Sequence, residues 1–339
     1  MTRRPHDALF KRAFERPEHL AQLCRELLPP ALVDAIAWDT IAPQPGAFID
    51  PALKDFHSDI LFKAEFLRQS IPLYVLVEHQ STVDPIMPLR ILHYLALVWM
   101  RHAQEHELPL PLPPLVSVLV AHAPGGWPAA RSTHDLVAPS PDLIPAVAEL
   151  VPNVTFVLDD LSQQSDENLR GRSLAALPKL ALWLLKTARN GPQLLARLDH
   201  WRPVLQQILA APSGIENMLH LLRYVALVAG EVNFAAFHAK VVEALPESEE
   251  VVMTIAEELR QEGLIRGLEQ GREQGLEQGR EQGLEQGRIE TLTKLLTLKF
   301  GPASQAYLPQ LEQATRAQLD SYVERILIAD TLDELFAEL

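Results

Sequence analysis

A single cysteine, Cys24, stands in the 339 residues, which excludes an internal disulfide framework and a cysteine-rich zinc site. Long apolar runs are missing as well. None reaches the roughly 18 residues of a membrane span, and four prolines interrupt the stretch from Leu108 to Leu119. The opening Met1-Thr2-Arg3-Arg4-Pro5-His6-Asp7 is basic but has no apolar segment behind it of the signal-peptide kind. These absences predict a soluble, cytoplasmic protein with no membrane partner. An excess of positive charge is also lacking: the formal net charge of −14 opposes long-range attraction to nucleic-acid phosphate. Its distribution softens that objection, because residues 1–130 carry eleven Lys or Arg against fourteen Asp or Glu. From Asn168 to Leu198 there are six basic residues (Arg170, Arg172, Lys179, Lys186, Arg189, Arg197) and no acidic one. That run predicts either a phosphate-facing surface or solvated cations on a leucine-rich helix pair.

What the chain does have is apolar content, 47% of residues, over a length that supports a large core and more than one unit. Apolar spacing predicts a helix from about Ala8 to Leu28, divided at Pro17 and capped by Asp7. A short strand follows around Ile36 to Ile41, then two strands around Asp59 to Phe66 and Tyr74 to Gln80. Met87 to His106 reads as a long helix with Leu89, Leu92, Leu95 and Trp99 inward; Leu115 to Val120 and Val154 to Leu158 read as further buried strands. The order predicts a mixed α/β sheet with helices against it.

The second and third strands hold the candidate chemistry. Alternation puts Asp59, Leu61 and Lys63 on one face of the first, and Glu78 and Gln80 on one face of the second. If Leu67-Arg68-Gln69-Ser70 is a hairpin loop, Phe66 pairs with Ile71 and the same register sets Asp59 opposite Glu78. Opposed residues have Cβ atoms roughly 4.5–5.5 Å apart, so two carboxylates there repel unless a proton or cation lies between them. A hard divalent ion fits that geometry. Tyr74 to Val77 is nearly all apolar, which predicts a strand buried on both faces, and an ionised Glu at its end needs a partner.

Four ordered blocks across the first hundred residues carry a family resemblance. They are Pro5-His6-Asp7-Ala8-Leu9-Phe10-Lys11, His57-Ser58-Asp59-Ile60-Leu61, Val77-Glu78-His79-Gln80-Ser81, and Asp84-Pro85-Ile86-Met87-Pro88-Leu89-Arg90 running on to Tyr94 and Trp99. This pattern resembles the recombination-promoting nucleases, the YhgA-like proteins, within the PD-(D/E)XK nuclease superfamily. The resemblance implies that Asp59 and Glu78 hold Mg²⁺, with Mn²⁺ as substitute, and that the backbone carbonyl of His79 completes the protein's share of the coordination. It places Gln80 where the superfamily usually has Lys, removing a cation that could hold the attacking water. It implies cleavage of double-stranded DNA linked to recombination, mobile DNA or phage defence. The alternative reading is a catalytically weak DNA-binding or assembly protein that keeps the nuclease fold. The family's Tyr-His-Gly is replaced here by Ala121-His122-Ala123, so His122 reads as a strand-end histidine. The resemblance assigns no role to His6 or Lys11; Asp7 reads as a helix cap rather than a third metal ligand, and Glu15 could supply the helix-borne acid of some superfamily members but is not assigned it.

Four segments follow: a nuclease-like core at 1–165, a helical lobe packed on it at 166–257, a repeat tract at 258–289 and a C-terminal helical module at 290–339. In the tract Gly263, Gly267, Gly271, Gly275, Gly279, Gly283 and Gly287 recur every fourth residue. Each costs a helix roughly 1 kcal/mol relative to Ala, more than Glu-Arg pairs at ~0.3 kcal/mol offset. The tract is therefore either a helix packed on another copy or a frayed linker; a partly helical spacer with weak self-association is the favoured form, predicting a homodimer through the tract or the module. In the module Leu311, Leu319, Val323 and Ile326 have helical spacing after a Gly301-Pro302 stop.

Overall fold

The computed structural model describes residues 5–44, 60–67, 69–105, 111–138, 145–229, 231–244 and 249–337. The chain divides into two compact units, Met1–Ala256 and Glu257–Leu339. Among the described residues no helix is long and apolar enough to cross a membrane.

In the first unit α1 (Pro5–Phe14), α2 (Pro17–Leu27) and α3 (Pro30–Ala35) precede β1 (Ile36–Pro43), β2 (Ile60–Phe66) and β3 (Gln69–Gln80). Pro17 and Pro30 each open a helix, where a missing N–H costs nothing. Helix α4 (Met87–Glu105) crosses to β4 (Leu115–Ala121); α5 (Pro145–Ala148) then leads to β5 (Val157–Asp160). The strands form one mixed sheet in the order β1-β2-β3-β4-β5, antiparallel from β1 to β3 and parallel from β3 to β5. The mixed α/β sheet expected from the element order is the one observed.

The central strand is as buried as its composition demands: Leu73, Tyr74, Val75, Leu76 and Val77 are each 2% exposed or less. On one face Leu61, Tyr74 and Leu76 pack with Tyr94 and Val98 of α4. The inward row of α4 is Met87, Ile91, Tyr94, Val98 and His102, and Leu89 is 51% exposed. This corrects the expected row. The stripe that faces the sheet runs i, i+4, i+7, i+11 from Met87 and so passes through Tyr94, off the Leu89-Leu92-Leu95-Trp99 row.

Register on β2 and β3 runs from Ile60 opposite Val77 to Glu65 opposite Pro72, as the hairpin reading predicts. At the turn it differs. Phe66 pairs with Gln69 and not Ile71, because the ladder shifts after Glu65 and Leu67 enters the left-handed region at φ 52°.

Against the other face lies α1, whose Phe10 stacks on His79, and on α1 and one another pack α6 (Asp166–Gly171), α7 (Ala176–Thr187), α8 (Gly191–Arg197), α9 (Arg202–Ala210), α10 (Gly214–Ala229) and α11 (Glu231–Ala244). Phe10 and Phe14 of α1 are fully buried, and Trp183 stacks on Trp201 at 4.9 Å within the helical layer.

The glycine tract is helical throughout, inside α12 (Glu249–Phe300), where a partly helical spacer was expected. A Cβ built at Gly267, Gly271, Gly275, Gly279, Gly283 or Gly287 meets nothing within 4 Å, so close packing within the chain does not explain these glycines. Gly301 ends the helix at φ 71°. Beyond it α13 (Leu308–Glu312), α14 (Arg316–Arg325) and α15 (Leu332–Phe336) close a small core of Leu292, Leu296, Leu311, Leu319, Tyr322 and Ile326. Tyr322 is the buried member here, and Val323 is 41% exposed, contrary to expectation. Capping boxes at Thr315 and Thr331 fix the starts of α14 and α15.

Candidate active site at the end of the central strand

Glu78 lies two residues from the end of β3, on the face that Leu76 presents to α4. Its side chain is 0% exposed. Nε2 of Gln80, on the same face, donates to Oε2 of Glu78 at 3.4 Å. Asp59 lies outside the described residues, one position before Ile60, whose partner Val77 precedes Glu78.

The cation beside Glu78 is Arg90, which carried no role in the sequence reading. One guanidinium nitrogen donates to Asp84 Oδ2 at 2.7 Å; the other reaches Tyr94 Oη at 3.1 Å and Glu78 Oε1 at 3.4 Å. Asp84 is itself fixed by accepting the Ile86 N–H at 3.0 Å, at the entry to α4. Burial opposes the charge of Arg90, but Glu78, Asp84 and Tyr94 outweigh it and hold its pKa above the usual arginine value. Arg90 and Tyr94 share a helix face at i, i+4, a signal the sequence did contain.

His79 points to the opposite face. Its ring stacks on Phe10 at 4.7 Å and on His122 at 5.0 Å, and its Nδ1 lies 3.1 Å from Asp7 Oδ1. Asp7 thus sits in the first turn of α1 and binds a histidine, which corrects its reading as a helix cap. His6 makes an edge contact with His122 at 4.8 Å and meets Tyr224 Oη at 2.9 Å. Arg189 ties the cluster to the strand ends: it donates to the carbonyls of His122 and Ser81 and lies 3.1 Å from His6 Nε2. His122 therefore follows β4 directly, as a strand-end residue, yet stands in a ring cluster. Lys11 falls in the last turn of α1, and Glu15 pairs with Arg12 at 3.2 Å, away from Glu78.

This cluster is built to stay neutral. Burial, then Arg189 and His79, push His6 from 6.5 down to about 4; burial, His79, His6 and Arg189 push His122 well below its ordinary value. A histidine depressed in the folded chain contributes stability above its unfolded pKa and loses it as pH falls toward the folded value. Asp7, Arg189 and Tyr224 are the other ionisable groups facing these rings. The urea midpoint is expected to be lower at about pH 5 than at about pH 7.5, with a shallower slope in His122→Phe. A midpoint independent of pH would refute this account.

Four of the six cations in the basic run from Asn168 to Leu198 are paired with acids. Arg172 is buried in a bidentate pair with Asp159, both contacts at 2.7 Å. Lys186 and Arg197 converge on Asp166 at 3.2 and 3.1 Å, and Arg170 reaches Glu167 and the carbonyl of His200. The acids come from just outside the run, so the segment's own composition concealed them.

Among the described residues no group of three or more His, Cys, Asp and Glu side chains is arranged to hold a metal ion. The donors beside Arg90 are nonetheless all oxygens or an amide, and Glu78 is a buried carboxylate whose contact with its cation is longer than a charge-assisted bond of about 2.7–2.9 Å. That donor chemistry fits a hard divalent ion and not a soft one.

The five-stranded mixed sheet flanked by helices is the fold the YhgA-like resemblance implied. The chain belongs to the family described as "Putative transposase, YhgA-like", which matches residues 4–216. It is 29% identical over 262 residues to the recombination-promoting nuclease RpnD of Escherichia coli O157:H7, covering 77% of this chain and 96% of that one. It is 26% identical over 260 residues to the recombination-promoting nuclease RpnA of E. coli K12, covering 76% and 84%. It is also 27% identical over 272 residues to the inactive recombination-promoting nuclease-like protein RpnE of the same strain, covering 80% and 86%. No solved structure matches the chain.

Proposed function

We propose that this protein is a divalent-metal-dependent endonuclease of the PD-(D/E)XK type that cleaves double-stranded DNA in a process linked to recombination, mobile elements or phage defence. The observation that carries the reading is Glu78: a fully buried carboxylate at the end of the central strand, with Gln80 on its face and a loosely held cation beside it. Asp59 and Glu78 would hold the ion, with the His79 carbonyl completing the protein's ligands. Bound there, Mg²⁺ or Mn²⁺ supplies a water of lowered pKa and positive charge for the phosphate oxygens. The side chains do the rest. Gln80 can accept a hydrogen bond from that water and so orient it, and apolar Leu61, Tyr74 and Leu76 keep the carboxylate away from bulk solvent. The direct test is cleavage of duplex DNA and RNA by the purified protein with Mg²⁺, Mn²⁺ or chelator.

A second reading has its own support in Gln80, which stands in place of the usual lysine, and in the likeness to a relative named as inactive. A weakly catalytic DNA-binding or assembly protein would show no divalent-ion binding dependent on Asp59 and Glu78 in calorimetry.

Assembly through α12 or the C-terminal module belongs to the same proposal, because the described glycines of the tract, Gly267 to Gly287, would meet nothing within 4 Å of an added Cβ while Leu268, Leu276 and Leu284 are more than half exposed. A chain ending at Ala256 is expected to stay folded but to lose dimer mass in analytical ultracentrifugation, with products shifting from double-strand breaks to nicks. Unchanged dimer affinity would place the interface elsewhere.

A further inference from the structure

We infer that Arg189 is a phosphate-binding residue: its guanidinium, fixed across the carboxyl ends of β3 and β4, contacts the backbone of bound duplex DNA. It rests on the nuclease reading above for its ligand, and it brings to the strand ends a positive charge that the amide at position 80 does not supply.

The partners of Arg189 set it apart from its neighbours in the basic run. Arg170, Arg172, Lys186 and Arg197 each meet a carboxylate. Arg189 meets none among the described residues, and its three partners are neutral acceptors. Nη1 donates to the His122 carbonyl at 3.2 Å; Nη2 donates to the Ser81 carbonyl and to Nε2 of His6, both at 3.1 Å. An arginine has no acceptor of its own, so His6 Nε2 carries the lone pair and His6 Nδ1 the proton, which lies toward Tyr224 Oη at 2.9 Å. The charge is thus fixed in position without an acid to cancel it. A guanidinium has further N–H donors in a planar fork suited to phosphate oxygens, and Arg189 is exposed, so an anion can reach them from solvent.

Its place in the fold points the same way. A cation at the end of α7 would ordinarily satisfy that helix's own last carbonyls. Arg189 instead spans two strands. The ladder of β3 and β4 ends at Gln80 opposite Ala121, the His122 N–H closes on the Gln80 carbonyl at 3.0 Å, and Ser81 and His122 present the next carbonyls. Arg189 bridges them as one more rung, a single residue past Gln80. In open α/β sheets ligands gather outside the carboxyl ends of parallel strands, the end at which Glu78 and Gln80 also lie. The backbone on both sides of Arg189 is set, since Ala188 caps α7 and the Asn190 side chain caps α8.

Salt dependence separates a phosphate contact from a structural one, because each phosphate neutralised adds about 0.9 to the slope of log K against log[salt]. Binding of the full-length protein to a short fluorescent DNA duplex is followed in chelator, between about 50 and 200 mM salt. The slope is expected to be shallower by about 0.9 in Arg189→Gln and to keep its wild-type value in Arg189→Lys, which retains the charge but not the fork. Structural damage alone would weaken binding in both variants alike. An unchanged slope in Arg189→Gln overturns the proposal, as does a slope in Arg189→Lys as shallow as that of Arg189→Gln. If Arg189→Gln fails to fold, phenylglyoxal labelling of the wild-type chain decides: mass spectrometry is expected to find Arg189 protected by the duplex, and equal labelling with and without DNA overturns the proposal. Cleavage of the same duplex with Mg²⁺ or Mn²⁺ tests the nuclease reading separately, since binding through Arg189 without cleavage would sink that reading and leave the phosphate contact standing.

Discussion

Replacing Glu78 with alanine is expected to reduce metal-dependent cleavage by at least about 10³-fold, equivalent to about 4 kcal/mol of transition-state stabilisation. The reasoning starts from burial. A carboxylate with 0% exposure at the end of a central strand is costly to keep ionised without a cation near it, and Arg90 lies 3.4 Å away. In the proposed mechanism that charge is what binds the ion, so its removal takes away both the activated water and the charge on the phosphate. Folding should survive, since Arg90 keeps Asp84 at 2.7 Å and Tyr94 at 3.1 Å. Glu78→Gln, nearly the same shape without the charge, should lose as much activity, and circular dichroism should show both variants folded. Wild-type rates in either variant would assign the chemistry to other residues. Asp59→Ala is expected to behave alike.

Arg172→Ala is expected to destabilise the first unit by about 3–5 kcal/mol, read as a fall in the urea midpoint. Asp159 is 2% exposed and Arg172 9%, and both guanidinium contacts are at 2.7 Å. Truncating the arginine leaves a carboxylate on the edge strand β5 buried without its counter-ion, which costs more than the pair itself contributes. The double variant Asp159→Leu with Arg172→Met should therefore recover most of the loss, because apolar side chains of similar volume replace a buried pair at little cost. If the double variant is no more stable than Arg172→Ala, packing and not the orphaned charge explains the damage. With total stabilities commonly about 5–15 kcal/mol, the single change removes a substantial share.

Local sequence was enough where one physical rule acts over neighbouring residues. The nearly continuous apolar run Tyr74 to Val77 required a strand buried on both faces, and the hairpin reading set the register from Ile60 opposite Val77 to Glu65 opposite Pro72. It failed by two positions at the turn, where Leu67 adopts a backbone conformation that side-chain type does not announce. Pro17 and Gly301 marked helix ends correctly because their constraints are covalent. Pattern also failed on α4, where the stripe that faces the sheet runs through Tyr94 and His102, residues whose polar tips disguised their apolar bodies.

The charges and rings were decided by tertiary structure. Arg90 meets Glu78 because α4, the connection between the parallel strands β3 and β4, passes over the strand end. His6, His79 and His122 come from a helix, a strand and a loop, and Arg189 from the end of another helix. No spacing in the chain encodes that meeting. The same holds for Arg170, Arg172, Lys186 and Arg197 of the basic run, which look unpaired in sequence and are paired in space with Asp159, Asp166 and Glu167. Sequence alone determined the mixed sheet, the β2–β3 register from Ile60 to Glu65, and the presence of Glu78 and Gln80 on one face, since these follow from nearest-neighbour geometry. Which cation stands beside Glu78, and which histidines share a buried cluster, depended on how distant elements pack, because electrostatic partnership is set by separation in space and falls off within a few ångströms.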